Sequence, residues 1–200
     1  MRGCTLGLLL ALVIVPGQVA AHGGLPGGGG FYSGLAHPFV AIEQFLALLA
    51  FGFLLGQQGR DQLRIPLLVL PLMLSAGLAP GITVDYAQAI LLGLALLMGV
   101  TVAAAPHVST WVVTTAAALL GGIVGIDTDV PEMISVDPAA TLAPYIGVFV
   151  GVFLIVMDAA ALASVARKQV PRIAVRVVGS WIAAIALMVL ALQFRVGAPT

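Results

Sequence analysis

Charge is what this chain has least of. Only 8% of its 200 residues are Asp, Glu, Lys or Arg, where a soluble domain carries roughly a quarter. With 61% of residues hydrophobic and a mean hydropathy of +1.16, an aqueous fold has nowhere to hide the apolar surface. The solvent is therefore lipid, and the bilayer is the first partner. The formal charges cancel to +0 and no basic run occurs, which excludes nucleic acid as a partner. A lone cysteine, Cys4, excludes a disulfide framework and any cysteine-based metal cluster. Nucleophile motifs, phosphate loops, HExxH and CxxCH are all missing. The expectation is a protein that is not an enzyme.

What is present divides into apolar stretches. Arg2, the apolar run 6–15, the break at Pro16-Gly17 and the small residues Val19-Ala20-Ala21 have the form of a secretory signal cleaved after Ala21, an uncleaved anchor being the alternative. The segment 22–36 carries seven glycines and is expected to be an external, flexible or tightly turned surface stretch. Residues 37–200 then form the membrane domain. Spanning helices need about 20 mostly apolar residues, and six candidates follow: 38–56, 65–80, 86–105, 107–126, 141–163 and 174–194. Pro66, Pro71 and Pro80 predict a kink or irregular end in the second. The fold class expected is all-α, a polytopic compact bundle of six transmembrane helices.

The distribution of charge orients that bundle. Arg60 and Arg64 fall at the connection between the first two segments, and Arg167, Lys168, Arg172 and Arg176 at the last. Asp127, Asp129, Glu132 and Asp137 fall between the fourth and fifth segments. Basic connections facing the cytoplasm place both mature termini outside an inner membrane. Small residues recur every four positions at Ala117, Gly121 and Gly125, at Ala95, Gly99 and Ala103, and at Gly147 and Gly151. That spacing suits close helix packing inside the bundle, or a dimer face.

Ionisable groups within spanning segments are costly, so each raises a functional question. In HPFVAIEQFLALLAFG (37–52), His37, Glu43 and Gln44 open the first apolar segment. Glu43 is either a cation ligand or proton carrier, or a side chain hydrogen-bonded within the bundle. On a straight helix His37 and Gln44 share a stripe about 10 Å apart, with Glu43 turned away by roughly 120°. Closing a metal site from them requires His37 to bend inward, or donors from elsewhere. His22, a mature N-terminal histidine offering amine and imidazole together, is one such donor. The acidic loop 126–137 lacks the pattern of a calcium loop and either attracts cations, through Asp127 and Asp129, or is simply solvated. Asp158 is expected to pair with Arg167 or Lys168 by snorkelling, and His107 to lie at the interface and belong to no site.

The signal, AHGGLPGGGGFYSGLAHPF (21–39) and the six-segment body resemble the HupE/UreJ family. Those are membrane accessory proteins of nickel hydrogenases and ureases, regarded as nickel or cobalt permeases. The family's first-helix pattern, H-P-x-x-G-x-D-H after a glycine-rich F-x-S-G, is met at Phe31, Ser33, Gly34, His37 and Pro38. Ala41 replaces its glycine, Glu43 its aspartate and Gln44 its second histidine. The family's later H-G-x-x-H-G stretch is replaced by GGIVGIDTD (121–129). Glu43 keeps a carboxylate, whereas Gln44 offers only an amide, a poor nickel ligand.

The resemblance implies metal ligands at His37 and Glu43, joined by His22, with Gln44, Asp127 and Asp129 as further contributors. The ion would be nickel, cobalt or another divalent cation admitted from the outer side. A second expectation comes from the lost histidines: a non-transporting accessory or assembly subunit, packed against a metalloenzyme maturation system or a larger membrane complex.

Overall fold

The computed structural model describes residues 30–59, 62–79, 84–128, 138–166 and 169–196, with backbone alone at 138–141 and 195–196. Seven helices and no strand occur among them: α1 Gly30–Val40, α2 Ile42–Gln58, α3 Arg64–Gly77, α4 Ala87–Ala104, α5 Thr110–Asp127, α6 Pro138–Val165 and α7 Gln169–Val196. Four of these, α4 to α7, are each long and apolar enough to cross a bilayer, and α1 with α2 would count as a fifth span bent by 75°. The protein is an all-α, multi-pass membrane bundle.

Two expectations change. Glycine-rich sequence predicts an irregular stretch up to residue 36, yet α1 is helical from Gly30. The expected signal and the rest of the glycine-rich segment, 1–29, lie outside the described residues. The first expected segment, 38–56, is not one rod but is divided at Ala41. The second corresponds to α3, which runs unbroken through Pro66 and Pro71. At 14 residues α3 reaches only about 21 Å, short of a hydrocarbon core of about 30 Å.

Helix α2 is the central element, touching α1, α4, α5, α6 and α7. Its Leu48, Phe51 and Leu55 are wholly buried. Around it the peripheral helices pair: α1 with α6, α3 with α5, α4 with α7. The small-residue repeats form those pairings. A methyl group on Gly121 would overlap the Leu70 carbonyl, one on Gly147 the Phe31 carbonyl, and one on Gly99 would sit 2.9 Å from the Gly179 carbonyl. Lipid supplies no hydrophobic drive between helices, so close backbone approach and its dispersion contacts hold the bundle together. The repeats are internal packing rather than a free face.

Candidate cation site

The break at Ala41 assembles the site. Ala41 has extended backbone (φ −71°, ψ 102°). Its N–H donates to the His37 carbonyl at 3.1 Å and closes α1; its own carbonyl accepts from Phe45 N–H at 2.9 Å and opens α2. Pro38, three residues earlier, is buried and brings no N–H to the α1 ladder. The rings of Phe39 and Phe45 pack across the bend, centroids 6.3 Å apart.

On a straight rod His37 and Gln44 would stand about 10 Å apart; the 75° bend turns the end of α1 back over the start of α2. His37 Nε2 and Gln44 Nε2 then lie 3.3 Å apart. Gln44 Nε2 also donates to Asp127 Oδ2 at 2.8 Å. Three helices thus meet through one amide: α1 with its imidazole, α2 with its glutamine, and α5 with the carboxylate of its last residue. For the amide to donate to His37 Nε2, that nitrogen must carry its lone pair, so the ring proton resides on Nδ1.

Gln44 is completely buried, at 0% exposure, and its Oε1 has no hydrogen-bond partner. An orphaned buried acceptor costs about 1–3 kcal/mol, so this oxygen is a place where the chain gives up stability. Asp127 is also placed against helix energetics, since a carboxylate at a helix C-terminus faces the negative end of the dipole. The C-termini of α1 and α5 and the Asp127 charge together make a potential that favours a cation. Glu43, half-buried in the first turn of α2, suits the opposite, positive end of that helix. His37, Glu43 and Asp127 each have bonding partners.

The expected ligands are therefore partly gathered. His37, Gln44 and Asp127 converge, and Glu43 lies next to Gln44 in the same turn. His22 and Asp129 lie outside the described residues, as do Glu132 and Asp137 of the acidic loop and Arg167 and Lys168, the expected partners of Asp158. Asp158 itself is exposed on α6. No three His, Cys, Asp or Glu side chains come together as a metal-binding group among the described residues. Counting the amide of Gln44 gives a three-donor set among the described residues. Imidazole with oxygen donors suits a borderline or hard divalent ion.

Hydroxyls within the helices are bonded locally. The hydroxyls of Ser75, Thr101, Thr114 and Thr115 donate to the carbonyls four residues earlier in their own helices, at 2.7–2.9 Å, the back-bonding of hydroxyls inside membrane helices. His107 Nε2 lies 3.3 Å from Gln62 Nε2. Sequence reasoning also passed over Gln57 and Gln58. Gln58 spans the turn after α4, donating to the Pro106 carbonyl at 3.3 Å and accepting from Val108 N–H at 2.8 Å. Gln57 Nε2 donates to the Val102 carbonyl at 3.2 Å. The signal was available: adjacent glutamines ending an apolar, largely buried helix are costly unless backbone groups receive them.

No curated protein and no solved structure matches the chain. The family described as HupE / UreJ protein matches it over residues 10–189. That span includes the broken first helix, the central α2 and the Asp127 end of α5, and by it the chain belongs to the HupE/UreJ family.

Proposed function

We propose that this protein is a membrane permease or carrier for a divalent transition-metal cation of the nickel and cobalt class, with its entry site where α1, α2 and α5 meet. The observation that carries this reading is the wholly buried Gln44, whose amide bridges an imidazole and a carboxylate from two other helices while its own oxygen is unpartnered. Rotating the amide by 180° about its last bond puts Oε1 where Nε2 now lies, so that a nitrogen and two oxygens face a cation held between them. The ion would replace a hydrogen-bonded latch with metal–ligand bonds, at no cost in new buried charge beyond its own.

In this reading His37 supplies the imidazole, Asp127 and Gln44 the oxygens, and Glu43 a neighbouring negative charge. His22 and Asp129 remain candidates for capture from the outer side. The membrane is the inner one with outward termini, as the charge distribution suggests. Uptake of nickel or cobalt by cells expressing the chain tests the reading. Accumulation above an empty-vector control, lost in His37→Ala and Asp127→Ala, is expected; uptake no greater than the control would remove it.

One observation favours a second reading, a non-transporting accessory subunit of a metalloenzyme maturation system. The interior between α2 and its neighbours is apolar, with Leu48, Phe51, Leu55, Leu91, Leu92, Val102, Val113 and Val124 wholly buried, and the hydroxyls nearby are bonded within their own helices. This reading predicts a partner that co-purifies in mild detergent, and a lone bundle would count against it.

A further inference from the structure

Among the described residues the pairing of a glutamine amide with an imidazole occurs twice, at opposite ends of α2. At one end His37 Nε2 and Gln44 Nε2 are 3.3 Å apart, and at the other Gln62 Nε2 and His107 Nε2 are 3.3 Å apart. In both pairs the glutamine Oε1 is buried without a partner, and Gln57 Oε1 at the second end is a further orphan. Fourteen residues of helix, about 21 Å, separate Gln44 from Gln58.

The second pair is built rather than incidental. The left-handed backbone of Ala105 (φ 52°) ends α4, and Gln58 then grips the chain on both sides of His107, at the Pro106 carbonyl and the Val108 N–H. Arg176 Nε fixes the end of α4 by donating to the Ala103 carbonyl at 2.7 Å. The imidazole is thus carried on a turn whose neighbouring peptides are already bonded, which reduces the ordering cost of using it as a ligand. The separation fits coordination as well. Two ligand atoms about 2.1 Å from one ion, at angles between about 90° and 109°, stand roughly 3.0–3.4 Å apart.

We propose that Gln62 and His107 form a second binding site for a divalent transition-metal cation, an imidazole nitrogen and an amide oxygen at the far end of the central helix from His37. The amide turns over to present Oε1, and exposed His107 leaves room for water to complete the shell. With two protein donors and no carboxylate within the pair, the site binds more weakly than the outer one and exchanges its ion readily. It takes its cation class from the proposed function but stands on its own geometry.

Cobalt(II) binding to the tag-free full chain in lipid nanodiscs tests it, with bound metal counted after equilibrium dialysis. Two ions per chain are expected at saturation, one tight and one weak. His107→Ala loses the weak ion alone, and His37→Ala the tight one alone. Gln62→Glu, which adds a charge to the same atom position, tightens the weak site severalfold, a response that a packing role for Gln62 would not produce. A wild-type stoichiometry unchanged by His107→Ala, with Gln62→Glu equally silent, overturns the second site while leaving the outer one standing. Loss of binding in His107→Ala but not in His37→Ala would instead sink the outer site and keep this one.

Discussion

The two ends of α2 use the same residue type for different ends. At its start one glutamine, Gln44, is completely buried and bonded to side chains from two other helices. At its finish Gln57 and Gln58 are bonded to backbone groups of α4 and the turn beyond it. A backbone clamp fixes geometry whatever ion is present. The buried cluster at the start instead joins side chains of three helices through one amide. Orphaned oxygens occur at both ends, on Gln44 and on Gln57 and Gln62, so the contrast lies in whether the neighbouring bonds go to side chains or to backbone.

The largest effect that would blur this contrast is loss of the close packing that seats α1. Gly147→Leu drives a side chain into the Phe31 carbonyl; overpacking of this kind costs about 1–3 kcal/mol or more, and retention of folded protein in a detergent thermal-shift assay should fall sharply. Next is Gln58→Leu, which leaves the Val108 N–H and the Pro106 carbonyl unpaired. A loss of roughly 2 kcal/mol is expected, read as a lower melting temperature, with His37-dependent metal binding preserved.

Gln44→His, which restores the family's imidazole, is expected to tighten cobalt binding about tenfold, equivalent to about 1.4 kcal/mol. Unchanged affinity would show that the amide already ligates as well as an imidazole. The smallest effect is on stability in His107→Ala: an exposed hydrogen bond is lost, worth about 0.5–1 kcal/mol, and the melting temperature should barely move. A large drop there would make His107 a structural residue and count against the second site.

Much of the fold was legible in sequence because hydropathy and length locate lipid-embedded helices directly, as α4 to α7 show. The start of α1 around Gly34 was not. Glycine reads locally as an unstructured stretch, and only the contact with Pro144 on α6 explains why it stands there. The break at Ala41 was equally hidden, since alanine is the best helix former, and Pro38 gave the only local hint. With a straight helix assumed, His37 and Gln44 were too far apart to meet. The role of Asp127 depended on a contact across 83 residues, which no local pattern carries. The partners of the far-end glutamines are backbone groups, which leave no trace in sequence; only their place at the end of an apolar helix hinted that partners exist.

The central claim is that His37 is an inner-shell ligand of the transported ion. X-ray absorption at the nickel edge, on protein loaded with one equivalent in a His107→Ala background, tests it most directly. The account predicts imidazole outer-shell scattering with nitrogen and oxygen neighbours at about 2.0–2.2 Å, and loss of the imidazole signal in His37→Ala. A spectrum showing only oxygen neighbours, the same with and without His37, would contradict it.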